Sequence, residues 1–176
     1  MKTRQGHVSN SSSSSFILAL DKKPESVEDM KEVLFGTEEF YADPYYDPDC
    51  TYFANRTPGY PTSTVAETVF DDIKDQTPMT KAQVSEEMGH GWLEGAPEYE
   101  SFKKKGVITK GMDDIDWDSY QEACKVFQDK TADELIAEAG NKVLFLVEYA
   151  DDDSYGSALE HGPLFDNIDA YRISKH

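Results

Sequence analysis

Residues 142–150 read KVLFLVEYA, and no other stretch restricts the fold as tightly. Seven of the nine are apolar, and Val143, Phe145, Val147 and Tyr149 are β-branched or aromatic. A run of this length and composition suits a strand better than a helix. It closes on DDDSYG, a turn signal. A strand needs partners, and two further segments qualify. SSFILAL, 14–20, is a short apolar run after a polar stretch, and AYRIS, 170–174, puts Tyr171 and Ile173 on one face. The expectation is a sheet with 142–150 at its centre, flanked by 15–20 and 170–174. That pairing brings the two chain ends together.

The segments between read as helices. Ser26 caps a helix over 26–35 that carries Val27, Met30 and Leu34 on one stripe and stops at Gly36. Thr64 with Glu67 and Thr80 with Gln83 form capping boxes that predict helices over 64–75 and 80–88. Residues 117–129 set Tyr120, Cys124 and Phe127 on one face, and Thr131 with Glu134 opens another helix over 131–139, ended by Gly140. PEYESFKKKG, 97–106, is consistent with a short helix, and SALEHG with a helical turn. Residues 37–62 hold four prolines and many tyrosines without a sustained period, and are expected as an irregular excursion pinned by aromatics. The class is α+β: a small, mainly antiparallel sheet covered by about five helices, in a single domain over 1–176.

Charge narrows the functions. Against 17 Lys and Arg stand 35 Asp and Glu, a formal net charge of -18, with mean hydropathy of -0.65. Such a field repels nucleic acid and anionic membranes and attracts basic surfaces. Aromatic residues make up 12% of the chain, too many for a disordered acidic tail. No apolar run approaches the 18 residues of a membrane span, and the N-terminus lacks the apolar region of a secretory signal. Two cysteines, Cys50 and Cys124, make no framework, so a reducing cytoplasm is the expected compartment.

Motifs for specific chemistry are few. Asp151, Asp153 and Gly156 match positions one, three and six of a calcium loop, but Tyr155 and Gly162 occupy positions that need oxygen ligands. His7, His90, His161 and His176 show no zinc spacing, so no metal is expected, and no motif names a cofactor. What remains is the polarity of the two ends. The C-terminal stretch carries Asp151 to Asp153, Glu160, His161, Arg172 and His176. A His beside a carboxylate is the minimal acid/base pair, and an arginine holds an anionic group. Glu160, His161 and His176 are the candidate catalytic residues. Asn10, Ser11, Ser12, Ser13, Ser14 and Ser15, with Arg172, are the candidate ligand-binding residues. The serine run reads either as an anion-binding nest, as a flexible arm, or as an address read by another protein.

The stretch RQGHVSNSSSSSFIL resembles the opening of a set of uncharacterised phage and prokaryotic proteins, which begin with a basic residue, a glycine and V-S-N-S-S-S-S-S-F before an apolar strand. His7 stands where an aromatic such as Phe is expected. The tail ALEHGPLFDNIDAYRISKH, with its E-H-G and R-I-S-x-H elements, and the middle STVAETVFDDIKDQTPMTKAQV are similar to such proteins too. The resemblance carries no activity. It implies that the two polar ends recur together.

Two functions follow as expectations. The first is an acidic, phage-like accessory protein that binds a basic host protein, nucleic-acid-binding or defensive, and modulates it. Its carboxylates would stand in for phosphates, without direct nucleic-acid or membrane binding by the chain itself. Tyr45, Tyr46, Asp47, Asp113, Asp114, Asp116 and Trp117 are the candidate contacts, because rings interleaved with carboxylates supply anchors. The second is a small enzyme or ligand-binding protein with the serine run and Glu160, His161 and Arg172 around a phosphorylated or anionic substrate. Oligomeric state is not read from the sequence.

Overall fold

The computed structural model describes residues 13–49, 56–89 and 117–174. In chain order these form β1 (Ser13–Leu20), α1 (Val27–Phe35), β2 (Phe40–Ala42), β3 (Gly59–Pro61), α2 (Thr62–Ile73) and α3 (Lys81–Glu87). They are followed by α4 (Trp117–Ala139), β4 (Val143–Ala150), α5 (Ser154–His161) and β5 (Asp169–Ser174). The fold is α+β, with a three-stranded antiparallel sheet and a two-stranded ribbon. Among the described residues, no helix is long and apolar enough to cross a membrane.

The strand order is β4-β1-β5, so β1 and not β4 is central. Phe16 pairs with Val147 on one side and with Arg172 on the other. This corrects the expectation from KVLFLVEYA, and burial gives the reason. A central strand is covered on both faces and paired on both edges. From Ser14 to Leu20 every residue of β1 is buried, whereas β4 leaves Glu148 exposed. The serine run is also not an arm or a nest where it is described. Ser13, Ser14 and Ser15 are extended and lie in the ladder between β1 and β4.

Alternation along β1 divides the interior. Phe16, Leu18 and Leu20 face Phe145, Val147 and Tyr149, and α1, α2 and α5 cover them with Met30, Leu34, Val65, Val69, Ile73 and Leu159. Ile17 and Ala19 face the other way, against Leu144 and Ile173, under Val84 and Met88 from the α3 segment and Ala132 of α4. Each fully buried side chain of this kind contributes about 1.5–3 kcal/mol relative to exposure.

Local signals account for the helices, with two corrections. Ser26 caps α1 by accepting from the Asp29 amide, and Gly36 ends it with its amide on the Glu32 carbonyl. Thr80 and Gln83 form the reciprocal box at α3. However, α2 starts at Thr62, two residues before the predicted box, because the Thr62 hydroxyl donates to the Glu38 carbonyl at 2.7 Å and anchors the first turn on the ribbon. Residues 117–139 form one helix, not two. Thr131 does not cap. Its hydroxyl donates back to the Phe127 carbonyl at 3.0 Å, while Ala132, Leu135 and Ile136 continue the stripe against the sheet. The excursion over 37–62 is less irregular than expected, since β2 and β3 pair within it through Tyr41 and Tyr60.

Candidate functional site

β4 ends at Ala150 and the chain turns directly into α5. Asp153 caps this helix, its carboxylate accepting from the Gly156 amide at 2.7 Å. Helix and strand end sit so close that a Cβ at Gly156 would collide with the Ala150 carbonyl oxygen. At the other end of α5, the Tyr41 hydroxyl donates to the Ala158 carbonyl at 2.7 Å, and a Cβ at Gly162 would strike that hydroxyl. Burial pushes the Tyr41 phenol well above its usual pKa, with Asp166 and Asp43 adding to the effect, so the hydroxyl stays a donor. Two glycines and one buried tyrosine thereby fix α5 over the sheet. Its last residues, Glu160 and His161, face the start of β1.

There the first and last strands of the sheet meet. The Ser14 hydroxyl donates to Glu160 Oε1 at 2.9 Å. Arg172, one strand away on β5, donates to Ser14 Oγ from Nε at 3.1 Å and from Nη2 at 3.0 Å. Its Nη2 also lies 3.6 Å from Glu160 Oε1 and 3.3 Å from His161 Nδ1. A guanidinium only donates, so Nδ1 is the acceptor and the imidazole proton sits on Nε2. Nε2 lies 3.5 Å from Glu160 Oε2 without forming a hydrogen bond to it. The Glu160 side chain is fully buried, and its Oε2 has no hydrogen-bond partner. A buried carboxylate is stable only when paired, and Arg172 and Ser14 provide that pairing.

The predicted ligand and acid/base residues therefore separate. Ser14, Glu160, His161 and Arg172 are in mutual contact. Ser15 is buried on the opposite face of β1 with its hydroxyl unpartnered, and Ser13 pairs with Ala150. Asn10, Ser11, Ser12 and His176 lie outside the described residues, as do Asp113, Asp114 and Asp116. Trp117 opens α4. Asp151, read as part of the C-terminal acidic cluster, has a carboxylate oxygen within 4.8 Å of the donor atoms of Glu160 and His161. No zinc spacing announced this grouping, because the third residue comes from the strand end nine positions before Glu160.

The tyrosines predicted as partner contacts adjoin the same place. Tyr45 and Tyr46 are 44% and 38% exposed, and Asp47 is exposed. The Tyr45 ring meets the His161 imidazole edge-on, with centroids 5.7 Å apart. The Arg56 guanidinium lies 5.0 Å from the same ring's centroid. Arg56 Nη1 donates to both carboxylate oxygens of buried Asp43, at 2.8 and 3.1 Å, and Nη2 donates to Ser157 Oγ on α5 at 3.0 Å. Sequence reasoning missed Arg56. The available signal was scarcity, since the chain has three arginines among its 17 basic residues, and a guanidinium can hold a carboxylate and a second acceptor at once.

A groove of about 330 Å³ lies apart from this site, between the end of α4 and β5, lined by Ile17, Leu135, Ala139, Ile168 and Tyr171. None of the candidate catalytic, ligand-binding or partner-binding residues lines it. No family model matches this chain, and no match to it is found among curated proteins or solved structures.

Proposed function

We propose that this protein is an acidic binding protein of the phage accessory type, which docks a basic, nucleic-acid-binding protein of its host cytoplasm through the face around Tyr45. The observation that carries the reading is the setting of Tyr45. A ring 44% exposed touches both Arg56 and His161, which limit its rotamers, so less side-chain entropy remains to be lost when a partner covers it. Tyr46, Asp47 and Asp49, which follow Tyr45 in the chain, are exposed, and so is Asp151 close to His161. Rigid aromatic anchors within a carboxylate field are the elements by which such a surface engages cations that otherwise hold phosphates. The net charge of -18 speeds encounter with a basic partner, and that advantage is screened by salt.

The test is capture from a host lysate with the intact protein and with Tyr45→Ala/Tyr46→Ala, at low and at high salt. A nucleic-acid-binding protein is expected at low salt, displaced by its own nucleic acid, released at high salt and missing with the double variant. Recovery of no basic protein, or of one indifferent to salt and to the variant, would overturn the reading.

A second reading is favoured by one observation. Arg172, hydrogen-bonded to Ser14, still shows 41% of its side chain beside His161, a position from which it can receive a phosphorylated or carboxylate ligand. Titration with inorganic phosphate, comparing the parent with Arg172→Gln, tests it. Saturable binding lost in the variant supports the reading, and absence of binding excludes phosphate as a ligand.

A further inference from the structure

We propose that Asp151, Glu160 and His161 form a binding site for a divalent cation of the zinc class. This goes beyond the docking reading and does not depend on it. One ligand atom from each residue falls within 4.8 Å of the other two. His161 Nε2 and Glu160 Oε2 are 3.5 Å apart. Bonds of about 2.0–2.2 Å to a tetrahedral ion place two ligand atoms about 3.4 Å from each other. The histidine and glutamate therefore already stand at the separation that a shared zinc ion requires.

A second observation points to a ligand. Glu160 Oε2 belongs to a fully buried side chain and has no hydrogen-bond partner, while Oε1 of the same carboxylate is bonded to Ser14. A buried carboxylate oxygen without a hydrogen bond is costly, and this one lies 3.5 Å from the imidazole Nε2 and belongs to the group that includes Asp151. The Ser14 bond to Oε1 has the form of an outer-shell contact, in which a ligating carboxylate is oriented by a hydrogen bond to its other oxygen.

The donor set selects the class of ion. One imidazole with carboxylate oxygens suits zinc, cobalt or manganese. Calcium takes six to eight oxygen ligands, and magnesium demands octahedral oxygen geometry, so neither is served by a tight group that includes a nitrogen. Two carboxylates within a chain of net charge -18 favour a dication over an anion at this point.

Arg172 opposes binding in the present arrangement, and that makes the proposal sharper. A metal on Nε2 moves the imidazole proton to Nδ1, with no net release from a neutral ring. Nδ1 then carries a hydrogen facing Arg172 Nη2, 3.3 Å away. The guanidinium has to turn aside, which its 41% exposed side chain allows. Removing the guanidinium removes both this conflict and a nearby positive charge.

The experiment is calorimetric titration of the full chain with Zn²⁺, in a millimolar background of Mg²⁺ that occupies diffuse acidic surface. It is paired with NMR detection of the His161 ring nitrogens. The expected result is one ion per chain, with the His161 resonances moving as it binds. Asp151→Asn and His161→Gln, both at positions open enough to keep the fold, should each weaken affinity by about tenfold or more. Arg172→Gln should strengthen it. If Asp151→Asn and His161→Gln bind Zn²⁺ as the parent does, or if the His161 resonances stay still through the titration, the proposal is wrong.

Discussion

Ser14 and Ser15 are neighbours in β1, and both are fully buried, yet their hydroxyls meet opposite conditions. Ser14 lies on the face covered by α1, α2 and α5, where it links Glu160 to Arg172. Ser15 lies on the face toward α3 and α4, between Glu148 and Ile173 in the register, with no hydrogen-bond partner. The same residue type, one position apart, is a junction of charge on one face and an unpaired dipole on the other. The difference is the pleat. A one-residue step along a strand exchanges one environment entirely for the other. A run of serines at a strand entry therefore does not act as a unit.

The two faces differ in core as well, which is where the largest effect is expected. Phe145 and Leu144 are adjacent and point to opposite sides of the sheet. Phe145 is sealed in the larger cluster, whereas Leu144 belongs to the smaller one. Phe145→Ala should cost about 3–5 kcal/mol and Leu144→Ala about 2–3 kcal/mol, measured by urea unfolding. Equal losses would remove the asymmetry between the faces. Next in size is Gly156→Ala. The added methyl meets the Ala150 carbonyl, so α5 must lift from β4, at about 1–3 kcal/mol. Because α5 carries Glu160 and His161, the Tyr45 face and the proposed metal site should weaken together in this variant.

The serine pair sharpens the comparison most directly. Ser14→Ala leaves a buried carboxylate with one hydrogen bond fewer and should destabilise by about 1–3 kcal/mol. Ser15→Ala removes a hydroxyl that has no partner and should be neutral or slightly stabilising. Losing stability equally in both would mean that Ser15 has a partner in solution.

At neutral pH a loss of about 0.5–1.5 kcal/mol is expected from Tyr149→Phe, which removes one 3.2 Å bond to Asp72. Its consequence grows with pH. Burial, with the Asp72 charge adding to it, raises the Tyr149 pKa well above its ordinary value of 10.0. The folded state therefore holds this proton more tightly than the unfolded chain does. That contribution is complete below pH 10 and declines as pH rises beyond it, toward the folded pKa. Alkaline unfolding should set in at higher pH in Tyr149→Phe than in the parent. Identical alkaline profiles would show that other groups control this limb.

Features set by neighbours along the chain are legible without coordinates. Ser26, Gly36 and the Thr80–Gln83 box mark real helix ends, because caps are made between residues three or four apart. The three apolar runs are the three strands of the sheet, since no other burial suits short runs of that composition. The polarity of both chain ends was also plain, and once the end strands pair, Ser14, Glu160, His161 and Arg172 have to meet. Only the tertiary structure decided the rest. Central position fell to β1 because it alone among the three strands is paired along both edges, a property distributed over segments more than 100 residues apart. Thr131 became mid-helix because packing of Ala132, Leu135 and Ile136 against the sheet outweighs a local cap. Arg56 reached the site because a buried Asp43 held it there. The placement of Asp151 beside Glu160 and His161 depends on how closely α5 sits on the end of β4. Two glycines and the Tyr41 hydroxyl fix that distance through space, and no spacing along the chain records it.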